Sequence, residues 1–245
     1  MSSEQRPIAP EKLAYPADEL RTPINVLAPD TRTFNFNIPS IEVLYRAIEQ
    51  IQLNSLVPDD IKVQFDTARN LFMHSFYVYR FYVVAESQAL TTLEFALREC
   101  IGKEQIKLFS KELKAEKLRF SEGLRLYMEY LARRELIKNE DFPIWHNRNR
   151  IAAEEAYRLE ISKRMEDEGL SEYTWDDSEI DESKFDVEWN YVEVLCNTIP
   201  KIRNKYAHGG KTLHNQVLRS FENISIIINK MYERTQSSKP ESNKQ

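Results

Sequence analysis

Glycine is scarce in this chain, which has five glycines in 245 residues. Folds built from strands and tight turns need glycine wherever the backbone takes a positive φ angle, so the shortage argues against a β-rich fold. No alternating run rich in β-branched residues is bounded by turn residues, whereas apolar residues recur at spacings of three and four. The sequence therefore predicts an all-α protein.

Cysteine and long apolar runs are equally sparse. Cys100 and Cys196 lack metal-ligand spacing and predict two reduced, mostly buried thiols in a cytosolic protein. The N-terminus lacks the basic-then-apolar pattern of a signal peptide. The most apolar stretch, residues 76–90, carries Arg80 and Glu86 and is too short and too polar to span a bilayer. We expect a soluble, cytoplasmic protein that is not inserted in a membrane.

Several sequence signatures of catalysis are missing as well. The chain contains no glycine-rich phosphate loop, no GxSxG nucleophile motif and no carboxylate–histidine set with zinc spacing. We therefore expect no cofactor and no bound metal.

Negative charge is concentrated in one part of the chain. The formal net charge is −5, yet residues 166–188 hold 11 Asp or Glu and a single Lys, which leaves +5 for the remainder. A mildly basic body with one acidic loop is compatible with RNA contact. An ordinary solvated surface with a charged loop accounts for the same pattern.

Prolines and breakers divide the chain. Residues 1–38 hold half of the ten prolines, a spacing that forbids a long helix. Scattered apolar residues in this segment predict an extended strap that lies on the body. Residues 39–235 form the predicted helical domain, interrupted by the acidic loop at 166–186, and residues 236–245 a disordered tail. Within the domain, residues 150–168 have few apolar positions and predict an exposed helix. Residues 213–232 predict a final helix with an apolar stripe of Val217, Leu218, Phe221, Ile224, Ile227, Ile228 and Met231. From Pro58 no breaker occurs before Gly102, so this stretch is either one central helix or two helices with an unmarked kink.

Two short strings share the spacing Arg-Asn-x-x-x-His: RNLFMH at residues 69–74 and RNKYAH at residues 203–208. The pattern places His74 in the middle of a long helix among large aromatic residues. There a histidine is usually a hydrogen-bonded packing residue. The first string is therefore interpreted as structural.

The second string is predicted to end a short helix. Thr198 is a plausible N-cap with Pro200 in the first turn, and the glycine pair at 209–210 predicts the stop. His208 would then lie at the negative end of the helix dipole, which favours the protonated ring and raises its pKa from about 6.5. A group that titrates near neutrality suits proton transfer.

The spacing within this string restricts how its side chains can meet. Asn204 shares a helical face with His208, whereas Arg203 lies about 140° away around the helix. One copy therefore does not easily direct both Arg203 and His208 at one small group, but two copies meeting across an interface can. The alternative is a C-capping histidine with an arginine in a surface ion pair.

A second basic region, IWHNRNR at residues 144–150, interleaves an aromatic residue with His146, Arg148 and Arg150. Single-stranded RNA is often contacted by such a mixture. These three residues and Lys205 are candidate RNA contacts. The alternative is an ordinary basic loop that caps the next helix.

IRNKYAHGG (residues 202–210) and the helix VYRFYVVAESQALTTLEFALRE (residues 78–99) together resemble the HEPN superfamily of helical bundles. The resemblance covers residues 40–235. It implies an α-helical bundle that homodimerises so that two motifs share one cleft, and many members are metal-independent endoribonucleases. Members that pair with a nucleotidyltransferase antitoxin carry a tyrosine two residues after the histidine, where this chain has Gly210.

The resemblance assigns roles to three residues of the second string. His208 would be the general acid or base at the ribose 2′-OH or the leaving 5′-oxygen, Arg203 would stabilise charge on the phosphate, and Asn204 would orient one of them. The expected protein is a homodimeric RNA-cutting toxin or defence effector with an antitoxin or inhibitory partner. The alternative is a non-catalytic HEPN module that dimerises and binds a protein partner or RNA. A helical transcription regulator ranks last because no recognition helix is apparent.

Overall fold

The computed structural model describes residues 18–36, 38–118, 123–208 and 213–237. Within these ranges the chain forms helices and loops and no strand, which confirms the predicted all-α class. The α-helices are α1 (Thr31–Phe34), α2 (Ile41–Ile48), α3 (Asp59–His74), α4 (Phe81–Ile101), α5 (Lys103–Ala115), α6 (Leu124–Arg133), α7 (Pro143–His146), α8 (Arg148–Glu168), α9 (Tyr191–Ala207) and α10 (Leu218–Ser237). Short 3-10 turns lie at Asn139–Asp141, Asp177–Glu179 and Glu182–Lys184.

Helix α4 lies at the centre of the main core. It packs against α3, α10 and α9, and α9 packs in turn against α6. Leu93 and Leu97 of α4 meet Phe65 of α3 and Phe221 of α10 in a core from which water is excluded. Eleven residues of α4 are buried, two of them glutamates, and the exposed ones follow one edge of the helix at Val84, Thr91 and Arg98, with Glu99 beside it.

The long stretch after Pro58 is two helices, as one of the two interpretations predicted, with the break at residues 75–80. Asp30, which is distant in the sequence, provides hydrogen-bond partners for backbone groups at this break. Its N–H donates to the carbonyl of Phe76 (3.0 Å), and its carboxylate accepts from the N–H of Tyr79 (3.1 Å). The Ser75 hydroxyl donates to the Phe72 carbonyl at 2.5 Å. Buried polar partners thus replace the helical hydrogen bonds that the break removes.

The structure describes residues 18–36 and 38 of the predicted N-terminal strap. This part contacts the break between α3 and α4, where Phe36 stacks on Tyr79 with the ring centroids 5.9 Å apart. Its apolar side chains are nevertheless largely exposed: Leu20, Ile24, Val26, Leu27, Phe34 and Phe36. Polar contacts hold the segment in place. Asp30 is buried beside Arg32, and the Arg21 guanidinium donates to the carbonyls of Ala28 (2.8 Å) and Tyr77.

The helix that carries the second string is longer than predicted. The interpretation of Thr198 as an N-cap is wrong, because α9 begins at Tyr191 and runs through Pro200 without interruption. The Thr198 hydroxyl donates to the Val194 carbonyl instead. Proline within a helix removes one backbone hydrogen bond. Pro200 is buried together with Leu195 and Ile199 before it, and Ile202 and Tyr206 after it are partly buried against the core, so packing holds the helix together. The glycine pair at 209–210 lies outside the described residues.

The acidic loop folds against helix α8. Ile180 packs with Ala153, Tyr157 and Ile161 in a small second core, while the rest of α8 is mainly exposed, as predicted. An ion pair between Arg150 and Asp177 (3.0 Å) adds a polar contact. The predicted tail beginning at residue 236 starts within α10, which ends at Ser237; residues 238–245 lie outside the described residues.

Candidate functional site

The second Arg-Asn-x-x-x-His string occupies the last turns of α9. His208 is the residue that follows the helix, and its backbone N–H donates to the Asn204 carbonyl at 3.1 Å. Its imidazole is exposed and forms no hydrogen bond with any of the described residues, while Asn204 and Lys205 are exposed next to it. The expected position of an accessible histidine at the end of a helix is confirmed.

Arg203 points away from His208, towards α4. Its Nε donates to Oε2 of Glu94 at 3.0 Å and its Nη2 lies 2.9 Å from the same oxygen in an ion pair, whereas its Nη1 has no hydrogen bond within the described part of the chain. The Glu94 side chain is 9% exposed and that of Arg203 39% exposed. A nearly buried carboxylate thus fixes the plane of a guanidinium that still reaches solvent on one edge.

Glu94 holds a second arginine as well. Arg98, one turn further along α4, donates to the other carboxylate oxygen of Glu94. One negative charge is therefore shared by two guanidinium groups, which leaves a local charge of +1 at the surface. The sequence alternative of an arginine held in an ion pair is correct for Arg203, although its carboxylate partner is nearly buried.

A second buried carboxylate of α4 anchors the end of α9. Glu86, whose side chain is 2% exposed, accepts hydrogen bonds from the hydroxyls of Tyr206 in α9 and Ser220 in α10. His214 lies 3.0 Å from the Tyr206 oxygen and 3.5 Å from Oε2 of Glu86 through its Nε2. Since Tyr206 gives its only proton to Glu86, the Nε2–H of His214 donates to the tyrosine oxygen.

This cluster determines where the end of α9 lies. Burial, the hydrogen bond to Glu86 and the charge of that carboxylate all raise the pKa of Tyr206, so its hydroxyl stays protonated and remains a donor. Tyr206 lies in the sequence between Arg203 and His208. Glu86 and Glu94 together attach the last turns of α9 to α4, and they thereby position both residues of the string.

Sequence reasoning missed these partners of the second string. Glu86 and Glu94 are eight residues apart, so they lie on one face of α4, and that face is otherwise apolar. An ionisable residue in a buried helix is almost never left without a partner, and that is the signal that could have found both. Tyr206, His214 and Ser220 carry no comparable signal in the sequence.

The first string differs from its predicted position. His74 is the last residue of α3, where it is exposed and its ring lies 6.1 Å from that of Tyr77. The interpretation as a mid-helix, hydrogen-bonded packing histidine is therefore wrong, because the helix ends at this residue. Arg69 pairs with Asp66 at 2.6 Å and donates to the carbonyls of Ile48 and Glu49, where it caps the end of α2.

The basic segment at residues 144–150 joins α7 and α8 to the chain that leads into α9. Arg148 stacks 4.0 Å above the Trp145 ring and donates to the Val187 carbonyl at 2.8 Å. His146 contacts the Glu140 carbonyl at 2.8 Å, and Arg150 pairs with Glu154 at 2.7 Å.

This segment and the second string lie at opposite ends of α9. The indole N–H of Trp145 donates a hydrogen bond of 2.8 Å to the carbonyl of Trp189, which lies just before the helix begins. Helix α9 has 17 residues, which corresponds to a length of about 25 Å. The structure therefore does not bring His146, Arg148 or Arg150 together with His208, whereas Lys205 is close to it along the helix.

The described ranges contain neither a candidate metal site nor a membrane-spanning helix. No group of three or more His, Cys, Asp or Glu side chains there is arranged to hold a metal ion. No helix in the same ranges is long and apolar enough to cross a bilayer.

The chain matches no family model, no curated protein and no solved structure in the three comparisons made with known proteins.

Proposed function

We propose that this protein is a metal-independent endoribonuclease that cleaves single-stranded RNA as a homodimer with a HEPN-like composite site. The observation that carries the proposal is the pairing of an accessible imidazole with an oriented guanidinium on the last turns of α9. His208 is exposed, and Arg203 is held by Glu94 with one edge open to solvent.

These groups can supply the two functions that RNA cleavage needs. The imidazole of His208 takes the proton of the ribose 2′-OH, whose oxygen attacks the neighbouring phosphorus, and an imidazolium gives a proton to the departing 5′-oxygen. Nη1 of Arg203 donates to a phosphate oxygen as negative charge accumulates there, while the exposed Asn204 orients the RNA. The P–O5′ bond breaks, so the products carry a 2′,3′-cyclic phosphate and a 5′-hydroxyl.

A homodimer would explain why Arg203 and His208 point in different directions within one protomer. Arg203 faces α4 and His208 faces solvent, as their separation of about 140° around the helix requires. Two ends of α9 related by a twofold axis would direct the arginine of one protomer and the histidine of the other towards one phosphate. The second imidazole would then supply the acid when the first acts as the base.

The decisive experiment is digestion of single-stranded RNA in EDTA, followed by end-group analysis of the products. Cleavage should persist without metal, yield 2′,3′-cyclic phosphate and 5′-hydroxyl ends, and disappear in His208→Ala. His74→Ala is the matched control, because it removes an exposed histidine from the end of another helix and should leave cleavage unchanged. A requirement for divalent metal, or equal loss in both variants, would contradict the proposal.

The second candidate function is a non-catalytic module that dimerises and binds a protein partner or RNA. The Arg203–Glu94 ion pair favours it, since a guanidinium already held by a carboxylate is less available to a phosphate. This candidate predicts a dimer or mixed complex without turnover on any RNA. Growth arrest on expression, relieved by His208→Ala, would favour the nuclease and a role as a toxin or defence effector with an inhibitory partner.

A further inference from the structure

A groove of about 480 Å³ lies between α5 and α6 beside the end of α4. Five basic side chains and one acidic one line it, a net charge of +4, in a protein whose net charge is −5. The basic residues are Arg98, Lys103, Lys107, Lys111 and Lys114. We call this surface the lysine groove.

The four lysines follow one edge of α5. Their spacings of four, four and three residues keep them within about 80° of one another around the helix. Successive lysines are therefore about 5–6 Å apart along the axis, and the row is about 16 Å long. Positive charges repeated at this interval match the spacing of phosphates along an extended nucleic-acid strand.

The positive charge of this row is largely uncompensated. On the other side of α5, Glu112 and Glu116, the residue that follows the helix, are paired with Arg134 and Arg133 at the end of α6, both at 2.6 Å. Among the four lysines, only Lys107 has an ion pair with a described residue, to Glu104 at 2.9 Å. Lys103, Lys111 and Lys114 are exposed and form no ion pair within the described part of the chain.

The shape and walls of the groove favour a strand over a membrane surface. Leu108 is half-exposed at the groove, and Tyr127 contributes an aromatic wall. The main apolar face of α5, formed by Ile106, Phe109 and Leu113, is buried in the core and so is not available to enter a lipid layer. A charged groove with apolar walls is typical of proteins that bind single strands.

The lysine groove adjoins the candidate active site. Arg98 lines the groove and donates to Glu94, whose other oxygen holds Arg203. A strand lying along α5 would therefore reach the Arg203 guanidinium after passing Arg98. The row of lysines is thus joined to the second string by Arg98 and Arg203, which share the carboxylate of Glu94.

We propose that the lysine groove binds the phosphate backbone of single-stranded RNA and guides the strand to Arg203. The guiding role rests on the proposed nuclease function, whereas binding in the groove does not require cleavage. The contact is electrostatic and is made to phosphates, so it carries little sequence preference.

The test uses the full chain and a fluorescein-labelled 2′-O-methyl oligouridine of 12 nucleotides. This probe lacks the attacking 2′-hydroxyl, so its binding can be measured by anisotropy whether or not the protein is a nuclease. The test variant carries Lys103→Gln, Lys111→Gln and Lys114→Gln. The matched control carries Lys138→Gln, Lys163→Gln and Lys184→Gln, three exposed lysines outside the groove, and loses the same charge.

A salt titration gives the expected sizes. Each phosphate contact to a single strand contributes about 0.7 to the slope of log K against log salt, so the groove variant should lose about 2 in slope. At 0.1 M salt this corresponds to binding weaker by about 100-fold. The control should match the parent in slope, and circular dichroism should show that both variants keep the parent helicity.

Equal affinity of the groove variant and the parent, at every salt concentration, would overturn the proposal. The proposal would also be overturned if the oligonucleotide did not bind while phosphatidylserine vesicles or a polyglutamate peptide bound in a way that depends on these lysines. The nuclease proposal fails separately. If binding depends on the lysines but no RNA is cleaved in EDTA, the groove proposal is supported and the nuclease proposal is contradicted. If RNA is cleaved but binding does not depend on the lysines, only the groove proposal is contradicted.

Discussion

Glu94→Gln tests whether one nearly buried carboxylate organises the candidate site. The change keeps the size of the side chain and removes the negative charge that Arg203 and Arg98 share. An amide oxygen can still accept one hydrogen bond, but it attracts a guanidinium far less than a carboxylate does. Arg203 should then lose its fixed orientation while α4 and α9 keep their packing.

The expected loss of stability follows from the contacts. Hydrogen bonds to charged groups contribute about 1.5–3 kcal/mol each when both partners are buried. Arg203 is 39% exposed and can be rehydrated, which reduces the effect. We expect the free energy of unfolding to fall by about 1–2 kcal/mol. For a chain of this size the change lowers Tm by about 2–8 °C.

A double-mutant cycle isolates the contact between the two residues. Urea unfolding of the parent, Glu94→Gln, Arg203→Gln and the double variant should give a coupling energy of about 1 kcal/mol. Glu99→Gln is the control, because it removes an exposed carboxylate from the same helix and should change the free energy of unfolding by less than about 0.5 kcal/mol. The nuclease proposal adds a second expectation, a fall of about 10²-fold in kcat/KM for Glu94→Gln, of the size seen when one oriented donor is lost.

A coupling energy within about 0.3 kcal/mol of zero would refute the assigned ion pair, since residues that do not interact give additive effects. Full cleavage activity in a stably folded Glu94→Gln variant would refute the positioning role and leave the ion pair intact. Rescue by Glu94→Asp is not expected, because the shorter side chain cannot reach both guanidinium groups.

Two further predictions concern the fold. Burial raises the pKa of the Cys196 thiol to about 12, so about 10⁻⁴ of it is thiolate at pH 8. Ellman's reagent should therefore modify the half-buried Cys100 in the native protein and Cys196 only after unfolding. If both thiols reacted equally fast, the burial of Cys196 in the core would be contradicted. Burial raises the pKa of Asp30, but hydrogen bonds from Arg32 and the Tyr79 N–H outweigh it, so the pKa lies below its usual value. The stabilisation by Asp30 is therefore present above about pH 4 and is lost as the pH falls through the native pKa. Asp30→Asn should cost about 2 kcal/mol at pH 7 by urea unfolding and progressively less as the pH falls below about 4. A cost that does not change with pH would contradict the assigned charge.

The helical class and most helices could be predicted because their signal is local. Apolar spacing identified the stripe of α10, whose members Phe221, Ile224, Ile228 and Met231 are all buried. Few apolar positions identified α8 as a mainly exposed helix, and the structure confirms that character. Both features depend on residues within a few turns of one another, which is the range over which periodicity is informative.

The boundaries that failed depend on distant residues. The break after His74 is stabilised by Asp30, 44 positions earlier in the chain, and no local breaker marks it. Pro200 suggested a helix start, yet α9 continues through it, because Leu195 and Ile199 are buried before it and Ile202 packs partly buried against the core after it. In both cases a tertiary contact outweighs the local preference.

The candidate site shows the same limit. Exposure of His208 could be predicted from its place at a helix end, because that requires only the helix period and a following glycine pair. The partners of Arg203 and Tyr206 could not, since Glu94 and Glu86 lie more than 100 residues away in sequence. The sequence places the carboxylates of Glu86 and Glu94 on a buried helix face. This predicts that each has a partner but does not identify the partner.

The two Arg-Asn-x-x-x-His strings finally differ in the partner of their arginine. Both end at the C-terminus of a helix, and both histidines are exposed, so helix position does not separate them. Arg69 directs Nη1 to Asp66 and Nη2 to two carbonyls at the end of α2, a capping arrangement, and its Nε is buried without a partner among the described residues. Arg203 is held through two nitrogens by one carboxylate oxygen and keeps Nη1 for another acceptor. A guanidinium can stabilise a phosphate only with donors that the fold leaves open, and for that reason we assign the chemistry to the second string.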